Sequence, residues 1–255
     1  HRNADYSYEL EDTVEDISSI KFDLSYANVK IISGNTFSVN IENMPKDGYE
    51  SYASNGNWVI KEEIDRDNMI NLFGFEVPIS INWPGFHNND FQSSSITITI
   101  PEDFQAKNIN ISLGAGALYA EKLSGDKIEL SVGAGTMEVD QLIAGNYADF
   151  ESGAGKLTVH ELEAVDVKVD CGVGEVKITG SIERDCNVQT GVGNVFLDIN
   201  GNEENYNYSV DCGIGHVIIN DKSYKGITDT TIRNNNSVGN FRLECGIGKI
   251  ELHVR

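Results

Sequence analysis

The four cysteines, Cys171, Cys186, Cys212 and Cys245, are the first residues whose chemistry must be asked about. No C-x-x-C pair occurs, which argues against a zinc or redox centre. Cys171, Cys212 and Cys245 share one place in a repeating pattern, directly before a glycine, and Cys186 occupies another. Cys171 and Cys212 stand two repeats apart, roughly 9–10 Å at ordinary strand spacing, too far for a disulfide. Cys212 and Cys245 become neighbours if the polar stretch 221–240 loops out, so a bridge there stays open. Buried free thiols acting as small apolar side chains are the preferred reading.

Nucleotide chemistry is the next candidate. Gly153-Ala154-Gly155-Lys156-Leu157 has the outline of a phosphate loop. It lacks the leading glycine and the Ser or Thr after the lysine, and no Gly-x-Gly here gains the third glycine of a dinucleotide fingerprint. Glycosidase chemistry needs two carboxylates at a set separation, and lyase chemistry needs acids beside a basic proton acceptor. His160, Lys177, Arg184 and His216 are scattered among many acids, and no acid–base set stands out from the repetition. The calcium-binding β-roll repeat, a glycine-rich nonapeptide with a fixed aspartate, is not matched. A non-enzyme is therefore expected, with no catalytic residues, no metal ligands and no cofactor.

Two features remain as binding candidates. Ser112, Ser131, Glu151, Asp170, Gln189, Asp211 and Glu244 form an outward column in which stacked carboxylates repel. A cation or a basic partner would relieve that repulsion, although a solvated face is the plainer reading. The irregular segment 62–94 clusters Phe73, Phe75, Trp83 and Phe86 with His87, Pro78, Pro84 and Gly85. Loop aromatics stack on sugars or dock a protein, so these four are the expected ligand-binding residues. The alternative is that the segment caps the fold and buries its rings.

The elements that must position these residues are set by a repeat. Gly-x-Gly occurs at Gly114, Gly133, Gly153, Gly172, Gly191, Gly213 and Gly246, at intervals of 19, 20, 19, 19, 22 and 33 residues. The last interval is one unit plus the 221–240 insertion. Before each first glycine, apolar residues alternate: Ile109-x-Ile111-x-Leu113, Val167-x-Val169-x-Cys171 and their equivalents. Such period-two patterning denotes strands with one buried face. After the second glycine the apolar phase slips by one, as in Leu118-x-Ala120 and Val176-x-Ile178, which marks a corner. Helices are excluded, because each interior glycine would cost about 1 kcal/mol.

The sequence therefore predicts an all-β fold, a single-stranded parallel, right-handed β-helix or β-solenoid with rungs of about 19–20 residues. Residues 1–105 would form N-terminal degenerate rungs carrying the inserted segment 62–94. Residues 106–255 would form the regular part with the insertion 221–240, the whole being one continuous solenoid. The closing strand, Lys249 to Val254, is expected at an open edge protected by its outward charges, where two copies could meet end to end. A specific site should lie where the repeat breaks, at 62–94 or 221–240.

Charge narrows the partners. Forty acidic residues against nineteen basic ones give a formal net charge of −21, which excludes nucleic acid and disfavours anionic lipid. A protein, a glycan or a cationic peptide remains. No run of 18 apolar residues exists, so this segment does not insert in a membrane.

The order Ile96-Thr97-Ile98-Thr99-Ile100-Pro101, then Ile109-Asn110-Ile111-Ser112, then serial Gly-x-Gly units, resembles the bacterial putative adhesin family of β-strand-repeat proteins. Asp23 to Ser33 is similar to that family's entry strands. The resemblance implies a cell-envelope or cell-surface location outside the cytoplasm, with an anchor or signal segment missing from this sequence, and a domain of unknown function. It brings no catalytic residues.

Overall fold

In the computed structural model, the described residues are 4–9, 17–44, 48–62, 69–72, 75–78 and 95–255. They are almost entirely β-strand. Each Gly-x-Gly repeat contributes two strand halves, one before the glycines and one after, and each half pairs in parallel with its counterpart in the repeat stacked beside it. The architecture is all-β with a long, mostly parallel sheet.

β2 (Ser19–Gly34) is one unbroken strand, and β9 (Ala106–Val132) runs through the Gly114–Gly116 corner; β10 (Thr136–Ser152) and β11 (Lys156–Cys171) each span the chain from one Gly-x-Gly to the next. The next repeat is broken again at 183–185, away from the glycines, giving β12 (Glu175–Ile182), β13 (Cys186–Thr190) and β14 (Asn194–Ile199). The predicted inward columns are inward. Ile109, Ile111 and Leu113, and after the corner Leu118 and Ala120, are all buried, as are their equivalents in every later repeat. Strand pairing keeps those columns in register, for example Val167↔Cys186 and Val169↔Val188.

The corner explains the glycines. A Cβ on the second glycine would sit 2.5 Å from the carbonyl oxygen of the equivalent glycine one rung away, at Gly135 against Gly116, Gly193 against Gly174 and Gly215 against Gly248. Of these second glycines only Gly116 has a left-handed backbone, at φ 102°. Space between stacked chains, more than backbone freedom, is what demands glycine. In three repeats the residue before the first glycine tucks under the corner and donates to the carbonyl three residues on. Ser152 Oγ donates to Gly155 O at 2.8 Å, Thr190 Oγ1 to Gly193 O at 3.0 Å and Cys245 Sγ to Gly248 O at 3.1 Å. Cys245 is thus part of a hydroxyl-and-thiol ladder, more than a small apolar filler, whereas the Cys171 thiol donates to Asn194 O at 3.8 Å.

The stacking order departs from the chain order at both ends. The last 17 residues form β19 (Gly239–Cys245) and β20 (Lys249–Val254). They lie between the β13–β14 rung and the rung made by β15 (Tyr206–Cys212) and β16 (His216–Ile219). The closing strand is therefore an interior strand and offers no edge for end-to-end pairing. After β14 the chain makes a one-turn 3-10 helix, Glu203–Asn205, and skips one rung position. β19 and β20 fill that slot and are held at both ends. Asp185 Oδ1 accepts from the backbone and side-chain amides of Asn240, each at 2.9 Å. Asn220 Oδ1 accepts from Val254 N at 2.8 Å, and Arg255 pairs with Asp198 through two bonds of 3.1 and 2.6 Å. Phe241 stacks on Tyr208 at 5.8 Å and meets the edge of Tyr206 at 4.9 Å.

At the other end β2 is likewise interior. It pairs with β9 on one side and, on the other, with β5 (Asn57–Glu62) and β8 (Ser95–Pro101). Antiparallel strands close both ends: β4 (Tyr49–Ser54) on β5, β3 (Ser38–Met44) on β8, β17 (Lys222–Lys225) on β16 and β18 (Thr228–Ile232) on β15. Antiparallel hairpins use up the sheet edges that would otherwise recruit other chains. Trp58 seals the N-terminal core, fully buried, with Phe22 and Phe37 edge-on at 5.1 and 5.5 Å and its Nε1 donating to Ser51 Oγ.

Candidate functional site

From the second repeat on, the residue between the two glycines points out at the corner, whereas Ala115 in the first is buried. In stacking order these are Ala134, Ala154, Val173, Val192, Ile247 and Ile214. Consecutive members are tied by backbone bonds, such as Val192 N to Gly172 O at 2.8 Å and Ile247 N to Gly191 O at 2.7 Å. Val173 is 49% exposed, Val192 53%, Ile247 57% and Ile214 71%. The result is an aliphatic ridge that grows bulkier towards the C-terminal end.

The acidic column runs beside it. Register places Glu151 next to Asp170, Asp170 next to Gln189, Gln189 next to Glu244, Glu244 next to Asp211 and Asp211 next to Asp229. Between this column and the ridge the missing glycine side chains leave a groove of about 270 Å³, walled by Glu151, Asp170 and Gln189 and floored by Gly153, Gly172 and Gly191. Partial burial, with Asp170 and Asp149 nearby, pushes the Glu151 carboxyl above its ordinary range. Asp149 is pushed the same way, mainly by burial. Lys168 answers part of this charge, pairing with Asp170 and standing 3.8 Å from Asp149.

A second groove, of about 430 Å³, opens where the 221–240 insertion meets β15 and β19. The sequence expectation that a site lies at a break in the repeat falls on this place. The other break does not test it: Phe73, Trp83 and Phe86, and the side chain of Phe75, lie outside the described residues.

The scattered bases do not converge; each has its own partner or setting. Arg184 pairs with Asp166, and His216 faces Ser223 Oγ at 2.8 Å, its pKa lowered by burial. Lys177 lines a separate groove with Glu175 and Glu251. Among the described residues, Glu138, Asp140 and His160 have ligand atoms within 4.8 Å of one another and could hold a metal ion. All three are exposed and already answered: His160 Nε2 meets Glu138 Oε1 at 2.6 Å, and Tyr119 Oη donates to Asp140 Oδ2 at 2.5 Å. That hydrogen bond raises the Tyr119 hydroxyl to about 12. All four cysteines are free and buried. Cys212 and Cys245 are indeed neighbours in register, as the looped-out insertion requires.

The ridge was half legible. Its residues were visible as small or apolar, but nothing in one sequence says that the position between two glycines faces out. Alternation predicts it only once the corner is known to break the phase there.

These features define a class: an all-β repeat protein whose stacked rungs present continuous side-chain columns. The chain belongs to the Toastrack DUF4097 family, whose model matches residues 17–234. Among solved structures it is similar to a putative adhesin from Bacteroides fragilis NCTC 9343, with 13% identity, TM-score 0.49 and 97% of this chain and 95% of that chain covered. It is similar to a putative lipid binding protein from Parabacteroides distasonis ATCC 8503, with 14% identity, TM-score 0.47 and 98% and 94% covered. A putative cell adhesion protein from Clostridium sporogenes ATCC 15579 is covered along its whole length at 12% identity and TM-score 0.36. No curated protein matches the sequence.

Proposed function

We propose that this chain is a non-enzymatic binding scaffold of the adhesin kind, working outside the cytoplasm at the cell envelope or surface. In this reading the rungs wind as one continuous right-handed solenoid, the degenerate 1–105 part running on into the regular 106–255 part. The observation that carries the proposal is the ridge of Val173, Val192, Ile247 and Ile214 standing beside an acid-walled groove. Exposed aliphatics in an unbroken row are costly to leave in water and suit a partner surface. The partner that fits is a protein segment with apolar and basic side chains, laid across successive rungs. The test is binding of the purified chain to intact cells, compared with a Val192→Asp/Ile247→Asp variant whose β-sheet circular dichroism is unchanged. Equal binding by both would sink the proposal.

A second reading is favoured by the acidic column alone: a sensor or sequestering module for cationic envelope-active peptides. It requires peptide binding that falls steeply with salt, is lost in Asp170→Asn/Glu244→Gln and is indifferent to the ridge variant.

A further inference from the structure

We infer that the 430 Å³ groove beside β18 binds a polyhydroxylated anion, a sugar acid or a sugar phosphate, at a site independent of the ridge. The groove crosses the outer face of β13, β19, β15 and β18. One cross-strand row is Asn187, Arg242, Ser209 and Thr231. Arg233 stands just beyond the end of β18, beside Asn207, and closes the far side.

Part of the lining is already committed. Asp185, Asn240, Asn207 and Asn234 form a hydrogen-bonded chain, with Asn207 Nδ2 donating to Asn240 Oδ1 at 3.1 Å and Asn234 N to Asn207 Oδ1 at 2.9 Å. This chain shapes the wall and pins the loop after β18. Arg242 is held by Glu244 at 3.1 Å. By contrast, Arg233 has no ion pair or hydrogen bond among the described residues, and neither do the side chains of Asn187, Ser209 and Thr231.

That leaves one free guanidinium, which matches a carboxylate or phosphate through paired N–H donors. Beside it stand hydroxyl and amide groups suited to hydroxyls. The rings of Tyr208 and Phe241 are turned into the core, so the floor offers no face for sugar stacking and the charge must supply the affinity. Beyond the groove at the end away from Arg233, the next outward row, Glu244, Asp211 and Asp229, repels further negative charge but accepts hydrogen bonds from hydroxyls. The ligand therefore carries a single anionic group at the Arg233 end and a neutral hydroxylated body towards the acids.

The test is calorimetric or NMR titration of the full chain with glucuronate, glucose 6-phosphate and glucose. A charged sugar should bind with a Kd near or below about 1 mM, at least about tenfold tighter than glucose, and more weakly as salt is raised. Binding of glucuronate alone, or of the phosphate alone, identifies which anion the site takes. Arg233→Ala should lose about tenfold or more, and Arg233→Lys should recover part of it. Arg233 is exposed, so both variants should keep the wild-type dichroism. No binding of either charged sugar up to roughly 10 mM, equal binding of glucose, or wild-type affinity in Arg233→Ala would overturn the inference.

Discussion

Gly191 and Gly193 stand two residues apart in one corner, and the structure assigns them different costs. An alanine Cβ at Gly193 would lie 2.5 Å from Gly174 O and 2.6 Å from Cys171 Sγ. The thiol can rotate aside. The carbonyl cannot, because it accepts the Asn194 N–H at 3.0 Å and belongs to the neighbouring rung. Ordinary contact begins at 3.4 Å, so the two rungs must part by about 0.9 Å at this corner. Overpacking of this kind costs about 1–3 kcal/mol, and weakening the rung-to-rung hydrogen bond adds about 1 kcal/mol. Gly193→Ala is therefore expected to lose about 3 kcal/mol, which for a chain of this size is a fall in Tm of roughly 10 °C. At Gly191 the nearest atom is Gly172 O at 3.1 Å, a conflict that a small shift relieves. Neither residue has a left-handed φ, so backbone strain does not separate them. The stiffer unfolded chain offsets roughly 0.4–1 kcal/mol in both variants, and Gly191→Ala should remain within about 1 kcal/mol of the parent. Urea unfolding followed by circular dichroism measures both. Equal losses for the two variants would refute close rung contact as the reason for the second glycine.

Four further outcomes are expected. Removing residues 239–255 empties the slot between two rungs, so protease should then cut within 186–238 while leaving 106–182 intact; an unchanged digestion pattern would contradict the interior placement of β19 and β20. Phe241→Ala should cost about 3–5 kcal/mol, read from the urea midpoint, because Phe241 is fully buried against Tyr206 and Tyr208. Glu151→Gln should stabilise the fold near neutral pH by less than about 1 kcal/mol after solvent screening. The Glu151 pKa is raised by folding, so its contribution is least favourable above that pKa and recovers as pH falls through it; the advantage of the variant should fade on acidification, and a constant advantage would speak against this cause. The four thiols should resist alkylation until the chain unfolds, since all are buried and burial pushes the Cys171 and Cys186 thiols up; rapid labelling of the native chain would show the corners to be open.

The inward columns were legible because they rest on a local rule. A period of two, broken once at Gly-x-Gly, is visible in any single repeat, and Val167, Val169 and Cys171 all proved buried. Rung order was not legible, for the same reason. Cys212-Gly213-Ile214-Gly215 and Cys245-Gly246-Ile247-Gly248 are interchangeable as patterns, so alternation cannot say which lies against Thr190. That choice is made by residues outside the repeat: Asp185 reaching Asn240, Asn220 reaching Val254, and Asp198 reaching Arg255. The ladder of Ser152, Thr190 and Cys245 was hidden because a side chain bonding three residues on needs the corner geometry to bring the groups together. The groove at Arg233 was anticipated only as a place, the break at 221–240, and its chemistry required the register of β18 on β15.

The same regularity bears on where function can reside. A column repeated at every rung gives a partner many equivalent footholds, so the ridge and the acidic wall favour binding of extended segments without a fixed register. Fixed register needs a position that occurs once. The slot filled by β19 and β20 creates one, because it brings strands of four different origins, β13, β19, β15 and β18, side by side. Their outward residues, Asn187, Arg242, Ser209 and Thr231, follow no repeat column of a single type. Placing β19 and β20 inside the stack thus builds a surface whose outward residues do not repeat from rung to rung.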